Sequence, residues 1–201
     1  MKKVLLTVGM LILGMFWTAG LWAAEAKISE KQIAIEVKSN PGGQANELKD
    51  LKNPEAGFKV ELWTNREDNT YKVGDEVSFY FKANQDCRLT LINLGTSGEP
   101  LKLFPNQHQQ DNQLKAGKVY SFPSKEANYL FRIKGPAGTD IVKAFATLDD
   151  VSLLANASTK PEGPVEKIEK PESELTKDIE IALKPIDKNR WAEAEKLLRV
   201  K

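Results

Sequence analysis

Between residues 58 and 147 the chain is a succession of short segments in which apolar and polar residues alternate, punctuated by Gly, Pro, Asn and Asp. A period of two puts every second side chain on one face of an extended strand and cannot form a helical stripe. Phe58, Val60 and Leu62 alternate with Lys59, Glu61 and Trp63. Val77, Phe79 and Phe81 alternate with Ser78, Tyr80 and Lys82, and Cys87, Leu89 and Leu91 with Arg88 and Thr90. Further strands are predicted at 101–104 and 119–122, and a last pair at 129–134 and 140–147. Pro105 closes one of them, because it has no amide hydrogen for a ladder. The connections carry turn residues and no amphipathic helix, which favours antiparallel pairing over a βαβ arrangement. The expected fold is mainly β: an antiparallel β-sandwich over residues 58–154, with an N-terminal extension and a short helical C-terminal tail. Phe79, Phe81, Leu89, Leu91 and Phe131 are predicted to share its core.

Residues 1–26 have the three-part layout of a secretory signal peptide. Lys2 and Lys3 precede an uncharged apolar run over 4–22, and Ala23, Ala24 and Ala26 supply small residues at its exit. Ala24-Glu25-Ala26 fits the A-x-A cleavage pattern, and a cut after Ala23 or Ala24 suits the same rule. The alternative is an uncleaved anchor, since a run of this length just spans a bilayer. A mature chain starting near Lys27 is expected, periplasmic or secreted, touching the membrane only through the transient signal peptide. Lys plus Arg (29) balance Asp plus Glu (28), so the basic footprint of a nucleic-acid binder is missing. Cys87 is the only cysteine. An internal disulfide and a cysteine-based metal site are therefore excluded, as is a lipidated N-terminal cysteine, and Cys87 is read as a packed small hydrophobe.

The flanks are weaker in signal. Residues 27–57 form the N-terminal extension, in which QIAIEVK at 32–38 suits an edge strand and ANELKDLK at 45–52 a short helix. Residues 155–172, rich in Pro, Glu and Lys, are expected to be a flexible linker, because so few apolar residues cannot offset ordering entropy. Within the C-terminal segment 173–201, SELTKDIEIALK at 173–184 predicts a helix with Ser173 as its N-cap, ended by Pro185. WAEAEKLLRV at 191–200 suits either a helix by propensity or a final strand by its Leu198 and Val200.

The ordered motifs resemble a known family. They are Val60-Glu61-Leu62-Trp63, Tyr71-Lys72-Val73-Gly74-Asp75, Asp86-Cys87-Arg88-Leu89-Thr90-Leu91, Leu103-Phe104-Pro105-Asn106, Ala116-Gly117, Gly135-Pro136-Ala137-Gly138 and Val142-Lys143-Ala144. Together they resemble the bacterial domain of unknown function 4384, over residues 58–153 and with 191–200 as a further element. The resemblance implies a β-rich extracytoplasmic module of a kind that often accompanies caspase-like peptidase or kinase domains. It supplies no catalytic residues.

Nucleophilic catalysis needs a nucleophile, a base and a group that orients the base. His108, the only histidine, stands in the polar loop FPNQHQQDN with no serine or cysteine beside it. The pairs Glu67-Asp68 and Asp149-Asp150 read as solvated acids. Asn65, Glu67, Asp68 and Asn69, and likewise Asn106, Asp111 and Asn112, offer oxygen ligands but lack the spacing of a calcium loop, and turn formation accounts for both sets. No catalytic residue, cofactor or metal is expected. Trp63, Tyr71, Tyr80 and Tyr120 offer a sugar-stacking or protein-binding surface; core packing is the preferred reading for most of them, and Trp63 and Tyr80, expected to point away from the main apolar face, are the exceptions. The expected function is an exported non-catalytic module, an accessory, binding or scaffold domain for an envelope protein or glycan. Trp63, Asn106, His108, Asp111 and Asn112 are its candidate partner-binding residues. The alternative is a hydrolase whose site is assembled around His108 only by the fold.

Overall fold

A computed structural model describes residues 47–201. The leader, the candidate strand at 32–38 and most of the N-terminal extension lie outside the described residues. Eleven strands occur within them: β1 (Val60–Thr64), β2 (Thr70–Tyr71), β3 (Phe79–Ala83), β4 (Cys87–Leu94), β5 (Pro100–Phe104), β6 (Gln113–Leu114), β7 (Tyr120–Phe122), β8 (Gly138–Thr147), β9 (Thr159–Glu162), β10 (Val165–Ile168) and β11 (Trp191–Val200). Two helices accompany them, α1 (Glu47–Asp50) and α2 (Glu172–Leu183). No helix among the described residues is long and apolar enough to cross a membrane.

The alternating segments fold as their pattern requires. A three-stranded antiparallel sheet has the order β1-β3-β7, with Leu62 opposite Phe81 and Phe79 opposite Phe122. A second sheet has the order β2-β11-β8-β4-β5-β10-β9, and β6 continues beside β4 where Cys87 faces Leu114. Its pairs are antiparallel except for β2, which runs parallel to β11. Between the sheets lies the main core, where Leu62, Phe79, Phe81 and Phe122 meet Leu89, Leu91, Val142 and Leu198. Phe81 and Phe104 cross it with ring centroids 5.4 Å apart. The fold is the expected mainly-β sandwich, with one parallel pair in its larger sheet. Phe131 is half-buried at the margin of that core, against Phe79 and Phe122.

The larger sheet is buried on its other face too. Eight consecutive residues of β8, Asp140 to Thr147, are buried, which a strand shows only when both faces are covered. Val142, Ala144 and Ala146 point into the sandwich, whereas Phe145 joins a second cluster with Ile92, Ile168 and Trp191. Leu175, Ile179 and Leu183 of α2, spaced by four on one helical face, cover that cluster, and Leu48 of α1 completes it. Lys143 is fully buried in this layer. Its Nζ donates to the Lys49 carbonyl at 2.9 Å and stands 3.2 Å from Glu193 and 3.7 Å from Glu195.

Three expectations are corrected and one open alternative is decided. The flexible linker at 155–172 is largely the β9–β10 hairpin, turned at Gly163, where φ is +61°. Its two buried apolar residues lie on opposite faces, Val165 in the sandwich core and Ile168 in the helix-covered one. Pairing of β10 with β5 and an ion pair of Lys102 with Glu166 at 2.7 Å add what composition does not reveal. The segment at 129–134 is not the strand partner of β8, because β4 and β11 occupy both edges of β8. It runs instead beside residues 75–77 through a single bridge, Glu76 to Arg132. Ser173 is not the N-cap of α2. Pro171 holds that position with extended backbone, and the Glu172 carboxylate accepts from the Leu48 amide at 2.9 Å, tying α2 to α1. Residues 191–200, open between helix and strand in the sequence, are β11, paired with all ten residues of β8. That ladder outweighs the helical propensity of its Ala, Glu and Leu.

Candidate functional site

The outer face of the three-stranded sheet follows from the register of its inner one. Val60, Leu62 and Thr64 point inward, so Trp63 points outward, and pairing places Tyr80 directly opposite it. The rings stack with centroids 5.9 Å apart and planes inclined by 19°. Both are half-buried. Glu61 shares this face, 3.2 Å from Lys59 and 3.6 Å from Lys82. The Lys59 hydrogen bond and charge, with help from Lys82, hold its carboxyl below the ordinary carboxylate range.

Tyr80 also borders a shallow cleft of about 230 Å³, whose lining includes Ser78, Ser121, Ser124, Lys125 and, across from it in sequence, Tyr129. The Tyr129 ring meets His108 at 5.1 Å, inclined by 45°, and Phe122 at 6.4 Å. Burial raises the Tyr129 phenol above its usual value. Two ring pairs, Trp63–Tyr80 and Tyr129–His108, are thus joined through one hydroxyl-lined depression.

The five candidate residues separate on this geometry. Trp63 and His108 present side chains at the surface, one at each pair. Asn106 is 3% exposed. Its Nδ2 donates to the Leu103 carbonyl at 2.7 Å, and its Oδ1 accepts from the His108 and Gln109 amides at 2.8 and 3.0 Å. Asn106 therefore shapes the loop and does not face solvent. Asp111 accepts from the Gln113 amide at 2.9 Å, and Asn112 from Arg88 at 3.3 Å, so both fasten the loop to its surroundings. Of the other aromatics, Tyr71 is buried with its hydroxyl on Asn65 at 2.9 Å, and Tyr120 stacks on Phe81 at 6.2 Å. Tyr129 was the residue the sequence hid, because it shares the alternation of Phe131 and Ile133.

Among the described residues, the His108 ring meets the Tyr129 ring and the Gln107 side chain, the latter 3.3 Å away. Cys87 is buried, and desolvation, aided by Asp86, pushes its thiol up to about 11, which keeps it protonated and unreactive at neutral pH. Among the described residues no group of three or more His, Cys, Asp or Glu is placed to hold a metal ion.

Together, the fold and this face define a mainly-β sandwich with a half-buried aromatic surface. Residues 70–150 match the model of a family described as Domain of unknown function (DUF4384), which supports the resemblance carried by the motifs. The match is narrower than the resemblance, leaving out β1, which packs the small sheet, and β11, which completes the large one. No curated protein and no solved structure matches the chain.

Proposed function

We propose that this chain is an exported, non-catalytic binding module, periplasmic or secreted, that takes a saccharide chain of the cell envelope on the face built by Trp63, Tyr80, Tyr129 and His108. The observation that carries this reading is the pairing of two aromatic platforms across one cleft edged by Ser78, Ser121 and Ser124. Aromatic rings offer apolar area at low entropic cost, and nearby hydroxyls supply the hydrogen bonds a sugar requires. A protein partner would be expected to demand a larger continuous surface than this depression offers. Export is supported by the signal-peptide pattern of residues 1–26.

Outside the leader the tryptophans are Trp63 and Trp191, and Trp191 is 8% exposed in the helix-covered core. Saccharide stacking on Trp63 should therefore shift the emission of the mature protein, and Trp63→Ala should abolish both the shift and retention on envelope polysaccharide. His108→Ala should weaken retention without changing any turnover. Intact mass of the envelope form should place its first residue near Lys27. Retention unchanged by Trp63→Ala and Tyr129→Ala, capture of envelope protein alone, or hydrolysis abolished by His108→Ala would each overturn the proposal.

A further inference from the structure

A second cleft, of about 390 Å³, opens between the 130–135 segment and the β9–β10 turn. Its volume lies in the range of small-molecule sites, roughly 300–1,000 Å³. Leu101, Leu130, Ile133 and Val165 give it apolar walls, and Leu130 remains 59% exposed there. Into this lining β8 brings Asp140, 5% exposed. Its Oδ1 accepts from the Thr96 backbone amide at 2.8 Å. The cations at the cleft are engaged by other carboxylates: Lys134 by Glu162 of the same lining at 2.5 Å and Arg132 by Glu76 at 2.9 Å. Glu99, the other charged group of the lining, is paired with Lys167. Asp140 itself has no ion-pair partner among the described residues.

A buried carboxylate is costly without a counter-charge. We propose that this cleft is a binding site for a small organic ammonium compound, its protonated amine set against Asp140 and its apolar body lying between Leu101, Leu130, Ile133 and Val165. Charge complementarity selects the cation, and the apolar walls select the body. A metal ion would need several oxygen ligands converging on one point, and the lining brings a single unpaired carboxylate. An anion would be repelled by it. The site is independent of the aromatic face, sharing with that cleft only the 130–131 stretch of its wall.

Burial raises the Asp140 carboxyl to about 6, so the anion that holds an ammonium group is present above that pH and is lost below it. The charged groups bordering it are Glu99 from the β4–β5 turn, Arg132 and Lys134 from the 130–135 segment, and Glu162 of β9.

The test uses the mature chain and n-alkylammonium ions from ethyl to hexyl, with alkyl carboxylates of equal length as controls, followed by calorimetry. Affinity should rise with alkyl length at pH 8 and disappear near pH 4.5. Asp140→Asn keeps an acceptor for the Thr96 amide and should weaken binding about tenfold or more, the loss of a charge-assisted hydrogen bond. Leu130→Ser, at an exposed position that the fold does not depend on, should flatten the dependence on alkyl length. Equal binding by native protein and Asp140→Asn, or equal uptake of carboxylates, would overturn the assignment.

Discussion

Asp140 also sets up a stability experiment whose sign runs against the usual effect of removing a buried polar group. Its carboxyl titrates at about 6 in the folded chain against an ordinary 3.8, with burial as the main cause and the Thr96 amide opposing it. Between those values the folded chain binds more protons than the unfolded one, so stability falls as pH rises through that window. Below pH 4 the group is protonated in both states and costs nothing. Above about pH 6 ionisation inside the cleft costs on the order of 3 kcal/mol, from about two pKa units at 1.36 kcal/mol each. Asparagine cannot ionise and retains an oxygen for the Thr96 amide. Asp140→Asn should therefore be more stable than the native chain at pH 8 by up to about 3 kcal/mol, and nearly equal to it at pH 4. Urea midpoints for both proteins at the two pH values measure this, and taking the difference removes the other carboxylates, among them Glu172, raised by burial, and Asp75 and Asp86, lowered by hydrogen bonds. A pH-independent difference, or a variant less stable at pH 8, would show that the ionised carboxylate is already compensated within the fold. Saturating alkylammonium should narrow the gap at pH 8 by stabilising only the native chain.

Two further outcomes test the layers. Leu91 is fully buried between the sheets, so Leu91→Ala should lower stability by about 2 to 5 kcal/mol through lost transfer energy and a cavity; an unchanged urea midpoint would contradict its place in the core. The β9–β10 hairpin should resist trypsin at Lys167 under native conditions, and Val165→Asp, which puts a charge into the sandwich core, should expose that site; rapid cleavage of the native chain there would restore the flexible-linker reading.

The sandwich was legible where a strand has one face in a core and the other outside it. Phe79 and Phe81 against Tyr80 leave no choice of face, and the same register that buries Leu62 turns Trp63 out beside Tyr80. Where both faces are buried, alternation gives no guide. The run Ile141 to Thr147 carries apolar residues on both phases, and the stripe Leu175, Ile179, Leu183 is plain in the sequence, yet only a non-local pairing tells that the second covers the first. The hairpin at 159–168 escaped for a related reason. Composition weighs Val165 and Ile168 together against many polar neighbours, whereas each belongs to a different core. Tyr129 and His108 lie 21 positions apart, and their contact depends on loop paths that no local period encodes.

The two buried charges of β8 show how a structural group and a candidate ligand-binding group come apart. Asp140 and Lys143 are three residues apart on one strand and so point to opposite faces of the sheet. Lys143, beneath the helices, meets Glu193, Glu195 and the Lys49 carbonyl, so its burial is answered from three directions by the chain itself. Asp140, on the sandwich side, is met by the Thr96 backbone amide and by no cation among the described residues. Sequence shows only an acid and a base in one apolar run, and burial alone treats them alike. What separates them is whether the counter-charge is supplied by the fold, and at Asp140 the place where it would stand is an open cleft with apolar walls.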